Sequence, residues 1–492
     1  MIVPRMFSRD SRVLFLFALA LAGTTVSAEE IQGRVVQVSG GTIRVEIDSD
    51  VVPTPGDRAV VYYQREGSGK RAVVGEGEVA RVEGQIVVVT MDDPASAVQV
   101  GQQVESAARA RPAEPVPAKH EVPSLFRARL LDDEAKRRLV AEEGGDGTRP
   151  TVDLGLAWLS VHQDESRGGW DSDDFQAECE TNTCSGRGEE WCDPGLTALA
   201  LLAFLADGNT PETGRYKDAV KLGVGYLKSI QDSEGCLGPR ENSFLYNHAI
   251  ATQALVEAYA MSGAPELLEP ARKAVAFLVA AQNPGKGWRY KPRAGDNDTS
   301  VTGWAIVALL DARSAGFEVP PEAFEGARSW IDSATDEESL RTGYISRGDT
   351  GARLRDQIGR FATVETSTAI SILARLLLGT RRDDPLVYGQ GVLLLQSRPA
   401  WDPSGGPGGT STIDFYYWYY GTLAMHQMGW EFWKEWNEKM KTAIVGHQRT
   451  DGDECGSWDP IDAWGPSGGR IYATACNVLA LETYFRYERV PR

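Results

Sequence analysis

Tryptophan is missing from the first 150 residues of this 492-residue chain, yet 13 follow between Trp158 and Trp464. The two stretches are therefore built differently. Basic residues are in deficit, 51 Lys+Arg against 69 Asp+Glu, for a formal charge of −18. No basic cluster offsets that balance, which excludes a nucleic-acid binder, because phosphate neutralisation needs clustered Lys and Arg. After residue 28 no apolar run reaches the roughly 18 to 20 residues of a transmembrane helix. Histidine is scarce and scattered (His120, His162, His248, His426 and His447), with no metal-like His/Cys/Asp spacing. P-loop, dinucleotide fingerprint and nucleophile elbow are all lacking. So is a Cys-Gly-Glu-Gln thioester, since Cys236 is followed by Leu237-Gly238-Pro239.

What is present begins with an export signal. Arg5, Arg9 and Arg12 precede an apolar run from Val13 to Gly23, and Val26 and Ala28 stand at the −3 and −1 positions of a cleavage site. Residues 1–28 are read as a signal peptide and the protein as periplasmic or secreted, with an uncleaved anchor as the alternative. Six cysteines fit an oxidising space, three of them crowded at Cys179, Cys184 and Cys192. A disulfide is the default for such a cluster, Cys179–Cys184 being the nearest pair. Zinc is the alternative, but there is no C-x-x-C and no His close in sequence. The expectation is a disulfide, no metal and no cofactor.

Residues 29–106 alternate with period two, Ile43, Val45 and Ile47 on one side and Arg44, Glu46 and Asp48 on the other. Gly40-Gly41, Pro55-Gly56 and Gly67-Ser68-Gly69 split the runs, which predicts a small β-barrel or sandwich. It carries no catalytic constellation and reads as a docking or spacer module for a protein partner. Residues 107–149 are a Pro/Ala-rich linker followed by a charged helix over 124–142.

From 150 to 492 a unit of about 50 residues repeats. Each unit holds two helical patterns and a turn with Gln, Gly and an aromatic or apolar residue. The turns are Gln163 to Trp170, Gln231 to Leu237 and Gln282 to Trp288, with looser copies at Gln396 to Trp401 and Gln448 to Trp458. The fourth unit has Trp330-Ile331-Asp332 in place of the Gln, then Gly343-Tyr344. Helices beginning near 193, 246, 298, 365, 413 and 471 are apolar nearly all round and predict an inner ring. Those at 151–163, 216–230, 265–281, 321–333, 385–396 and 430–447 keep one polar face and predict an outer ring. The fold class is therefore mainly α: a single α6/α6 toroid, 12 helices in two concentric rings, preceded by a small all-β barrel-like domain.

These turns resemble the repeats of squalene cyclases and protein prenyltransferase β subunits, a superfamily of α/α toroids. The resemblance implies a polar mouth at the inner-helix N-termini above an apolar cavity. His248, Glu365, Asp414, Tyr416, Tyr417 and Trp418 are the candidate ligand-binding residues there. Squalene cyclases protonate an alkene with an Asp-x-Asp-Asp motif at an inner-helix start. Asp296-Asn297-Asp298-Thr299 occupies that place, so Asp296 and Asp298 are the candidate catalytic acids. Asp171-Ser172-Asp173-Asp174 matches the letters fully but follows Trp170 in a turn and reads as a solvated loop. The prenyltransferase zinc ligands map to Glu365 with Ser367, and to Asp414-Phe415-Tyr416 with Tyr417. Ser replaces Cys and Tyr replaces His, which removes the metal and excludes prenylation.

The leading expectation is an exported protein binding an extended apolar, isoprenoid or peptide ligand in a central cavity. The alternatives are a cyclase-like isomerase or lyase acting through Asp296/Asp298, and a non-catalytic envelope or extracellular scaffold.

Overall fold

The alternation of Ile43, Val45 and Ile47 with polar neighbours becomes alternate burial in a strand. In the computed structural model, which describes residues 31–47, 55–64, 71–93, 98–100, 103–107, 121–181, 184–351, 353 and 356–489, six strands open the chain. They are β1 (Ile31–Ser39), β2 (Thr42–Ile47), β3 (Arg58–Gln64), β4 (Arg71–Glu83), β5 (Ile86–Met91) and β6 (Gln103–Ala107). All pair antiparallel in the order β1-β2-β5-β4-β3-β6, and β6 returns to β1 to close a barrel around Val35, Val61, Val74 and Val89. Closure leaves no strand edge open. The signal peptide at 1–28 and linker residues 108–120 lie outside the described residues.

Helices α1 (Ser124–Arg127) and α2 (Asp133–Glu142) lead into alternating outer and inner helices. The first outer–inner pair is α3 (Arg149–Val161) and α4 (Asp193–Ala206), followed by α5 (Lys217–Ser229) and α6 (Phe244–Ser262). Next come α7 (Pro265–Ala281) with α8 (Thr299–Ser314), and α9 (Pro321–Ala334) with α10 (Thr366–Leu377). The last pairs are α11 (Pro385–Gln396) with α12 (Phe415–Met428), and α13 (Trp430–Val445) with α14 (Gly465–Leu481). A short α15 (Thr483–Arg486) ends the described chain. Each inner helix packs on the next, and α14 packs on both α4 and α3, so the ring closes. Every residue of α4 is buried, as an all-round apolar pattern requires. Among the described residues no helix is long and apolar enough to cross a membrane. The barrel rests on the toroid through the Tyr216 hydroxyl, which donates to the Val73 carbonyl at 3.0 Å, and the Arg137–Asp93 ion pair.

The repeated turn is a two-way staple. Gln163 donates through one amide nitrogen to the Gly168 carbonyl of its own turn (2.7 Å) and to the Ala219 carbonyl of the next outer helix (3.0 Å). Gln231 does the same to Gly235 and Pro270, and Gln282 to Lys286 and Ala323. Gln448 reaches Gly456 (2.9 Å) and Thr151 on α3 (2.8 Å), which joins the last outer helix to the first. Two residues past each stapled carbonyl sits the turn's large side chain. Trp170, Trp288 and Trp458 are buried, and their indole N–H groups donate to Leu159, Leu278 and Ile444 near the ends of the preceding outer helices. Their backbone N–H groups donate to Thr197, Thr302 and Thr474 on the inner helices. At Gly168 and Gly456 φ is +80° and +94°, and a Cβ would meet a carbonyl oxygen at 2.6 and 2.3 Å, so glycine is required.

Two units depart from this pattern. The fourth, lacking its own Gln, borrows Gln390 from the middle of α11, which donates to Leu340 O and to the Thr342 hydroxyl, each at 3.0 Å. The Thr342 N–H then donates to Thr368 on α10 as the Trp N–H does elsewhere. Gln396, in the looser fifth turn, is exposed.

The lumen is plugged where the inner helices end. There Arg129, Glu257, Asp311 and Arg486 are fully buried together. Arg129 pairs with Glu257, and the Gln253 amide donates to Glu257, Asp311 and Tyr487 at 2.8–3.0 Å. The neighbouring arginines hold the Glu257 carboxyl down at about 2 despite its burial. Burial, then the Glu257 charge, pushes Asp311 well up.

Removing a staple strands two carbonyls. Gln448→Ala is expected to lower the unfolding free energy by about 1–3 kcal/mol, whereas Gln396→Ala stays within about 0.5 kcal/mol. Urea titration of the two variants checks this, and equal losses would contradict the staple.

Candidate functional site

The open end of the lumen lies at the inner-helix N-termini, where a cavity of about 350 Å³ is found. On several inner helices it takes one residue from the first turns and the residue four later, which the helical period places on the same face. Ser300 and Trp304 on α8, Tyr246 and Ile250 on α6, and Tyr472 and Cys476 on α14 are such pairs. The connecting turns add Trp191, Tyr290, Tyr344 and Trp464. Eight of the 22 lining residues are aromatic, and among the described residues none in the lining is charged.

Hydroxyl groups join these rings. The Ser300 hydroxyl lies 2.9 Å from both the Tyr246 and the Tyr416 hydroxyls, and Tyr290 and Tyr344 share a short hydroxyl–hydroxyl bond. Trp304 stacks on Tyr419 below, with centroids 5.5 Å apart. The Trp304 indole N–H lies against the Tyr246 side chain, the Trp464 indole N–H has no acceptor among the described residues, and both nitrogens are enclosed by protein.

Three acids stand behind the wall. Asp298 caps α8, its Oδ1 accepting from the Val301 N–H at 2.7 Å. Its Oδ2 has no hydrogen bond and lies 3.9 Å from Arg289, and burial pushes the carboxyl up to about 7. Asp462 accepts from the Tyr472 hydroxyl (2.9 Å) and the Phe415 N–H (3.0 Å), and burial together with the neighbouring Asp414 charge lifts it to about 7. Burial lifts Asp193 to about 6, but its Oδ1 accepts from the backbone N–H and the hydroxyl of Ser172. That bond ties the Asp171–Asp174 loop down, and Asp193 is the first residue of α4, whose N-cap is Cys192.

The candidates read from sequence separate sharply. Tyr416 lines the cavity. Asp298 stands close behind Ser300, but Asp296 is exposed and paired with Arg289 at 2.9 Å. His248 is away from the lining and fully buried. Its Nδ1 accepts from the Leu237 N–H at 3.1 Å, the duty threonine has in the other turns, and burial holds it down at about 3. Glu365 pairs with Arg341 (2.8 Å) and Asp414 caps α12 while pairing with Arg353 (2.7 Å), so neither carboxylate enters the cavity. Tyr417 points outward, bonded to the Ser397 hydroxyl and edge-on to Trp436. Trp418 packs between the rings against Phe415 and Trp401.

The expected Cys179–Cys184 disulfide is not formed: all six cysteines are free and buried. Both sulfurs turn toward His162, which is distant from them in sequence but sits at the C-cap of α3 directly beneath the Cys-rich loop.

No family model and no curated protein matches the chain. Solved structures of similar shape include an α-1,6-mannanase from a Salegentibacter species in complex with α-1,6-mannotriose. It is 13% identical, covers 69% of this chain and 99% of its own, and has a TM-score of 0.47. A cellobiose 2-epimerase from Bacillus thermoamylovorans is 12% identical over 66% of this chain and 95% of its own, with a TM-score of 0.46. A family 76 glycoside hydrolase from a bovine Bacteroides thetaiotaomicron strain is 12% identical over 92% of this chain and 98% of its own, with a TM-score of 0.42. These structures are carbohydrate enzymes, not squalene cyclases or prenyltransferases, and the family resemblance read from the turns is corrected accordingly. With it go the isoprenoid, apolar-chain or peptide ligand and the cyclase chemistry. The physical reason is in the turns: their Gln, Gly and Trp are consumed in stapling the ring and carry no chemistry.

Asp298 makes stability depend on pH. The folded state binds this proton more tightly than the unfolded chain, so its favourable contribution is complete below about pH 4 and is lost as pH rises toward about 7. Asp298→Asn keeps the cap oxygen without the charge. It is expected to gain about 1–3 kcal/mol over the native protein at about pH 8 and little at about pH 4. Unfolding measured across pH checks it, and a pH-independent difference would contradict the assignment.

Proposed function

We propose that the cavity binds a neutral carbohydrate. The observation that carries this reading is an uncharged lining that combines aromatic rings with the hydroxyls of Ser300, Tyr246 and Tyr416. A pyranose ring presents an apolar face of C–H groups, suited to lying on Trp304 or Tyr416, and a girdle of hydroxyls. Those hydroxyls can exchange hydrogen bonds with Ser300, Tyr246 and Tyr416. A charged ligand would find no counter-charge in the wall. The cavity volume of about 350 Å³ suits one or a few sugar units better than a long chain.

A second step of the reading is acid–base chemistry on that sugar. It is favoured by Asp298, whose Oδ2 accepts no hydrogen bond, with Arg289 3.9 Å away, and whose carboxyl burial pushes up to about 7. Asp298 is the proton donor of this proposal, and Asp296 has no part in it.

Titration of the full chain with neutral mono- and oligosaccharides, followed by tryptophan fluorescence, tests the binding. Saturable quenching by at least one sugar is expected, weakened at least about tenfold in Trp304→Ala. Absence of a saturable response across the panel overturns the reading. For the second step, Asp298→Asn is expected to abolish turnover of the bound sugar while changing its affinity less than about threefold.

A further inference from the structure

We propose that His162, Cys179 and Cys184 form a binding site for a thiophilic divalent metal ion of the zinc type. The three donor atoms lie within 4.8 Å of one another, and all three residues are buried. The Nε2 of His162 stands 3.6 Å from the Cys179 sulfur and 3.5 Å from the Cys184 sulfur. A tetrahedral ion with metal–nitrogen bonds of about 2.0–2.1 Å and metal–sulfur bonds of about 2.3 Å sets its N and S ligands about 3.5–3.6 Å apart. The observed separations are those edges.

The imidazole is already oriented as a ligand. Its Nδ1 lies 2.8 Å from the Trp158 carbonyl, which fixes the proton on Nδ1 and leaves the Nε2 lone pair facing the sulfurs. The ring is stacked on Trp158 with centroids 4.1 Å apart, and Phe175 flanks both rings. Binding a divalent cation displaces the two thiol protons to solvent and leaves two thiolates and a neutral imidazole around it. That complex carries no net charge, which suits a buried site. A disulfide would instead draw the sulfurs to about 2.05 Å of each other and remove the donors that the buried Nε2 now faces.

The site joins the C-terminal end of α3 to the insertion 171–192, whose last residues Trp191 and Cys192 line the cavity. The metal therefore fixes one wall of the cavity, whether or not the ligand there is a sugar.

The test is cobalt(II) titration of the reduced, chelator-treated full chain. One equivalent is expected to bind with the intense visible bands of tetrahedral thiolate coordination, and zinc should displace it. Cys184→Ser is expected to abolish those bands. The milder His162→Gln should weaken zinc binding at least about tenfold, and Cys455→Ser, at a buried cysteine outside the group, should leave it unchanged. Circular dichroism confirms that each variant is folded. A folded chain that gives no such spectrum, or keeps it in Cys184→Ser, overturns the proposal. So does peptide mapping of the unreduced protein that finds Cys179 joined to Cys184.

Discussion

One side-chain amide, repeated around the ring, is the constraint on which the rest of the structure depends. Gln163, Gln231, Gln282 and Gln448 each stand just after an outer helix and bond both their own turn and the next outer helix around the ring. They therefore fix the angle between successive units as well as the shape of each turn. Because Gln448 bonds α3, the same contact closes the array into a ring instead of leaving an open solenoid. Trp170, Trp288 and Trp458 complete it by tying their turns to the inner helices through threonine hydroxyls. Hydrogen bonds between side chain and backbone thus set the inner helices in register, with their N-termini at one rim.

That register sorts charge along the lumen. Asp298, Asp414 and Glu365 stand at helix N-termini, where the dipole favours negative charge, while Arg129 and Arg486 gather toward the opposite end. The arginines and their carboxylates fill that end. At the rim the acids are turned into the wall by caps and ion pairs, so the cavity surface itself is aromatic and uncharged. A toroid whose dipoles alone would favour an anionic ligand thereby presents a neutral surface.

Much of the architecture was legible because it repeats. Gln, Gly and Trp at constant relative positions predicted the turns, and the alternation of all-apolar with amphipathic helices predicted the rings. The threonine partners Thr197, Thr302 and Thr474 were equally visible at matching inner-helix positions, but a single hydroxyl carries little weight until its acceptor role is seen. His248 misled for the same reason: it replaces that threonine, so its position at the mouth reflects stapling. In the run from Tyr416 to Trp418, helical period alone could not say which face meets the lumen, and only Tyr416 does. Tyr290 and Trp464 were missed because the cavity draws single residues from several connecting turns, and Trp304 because it lies inside an all-apolar helix. His162 was missed because a helix end and a loop meet there across 17 and 22 residues. The family resemblance failed because it rested on the stapling residues, which report the ring and not the reaction.

A crystal structure of the full chain grown with a neutral oligosaccharide tests the central claim most directly: that the staples hold an uncharged aromatic mouth built for a sugar. The expected result is a pyranose lying on Trp304 or Tyr416, with its hydroxyls bonded to Ser300 and Tyr246. A sugar bound elsewhere, or a cavity that takes none at saturating concentration, would contradict it.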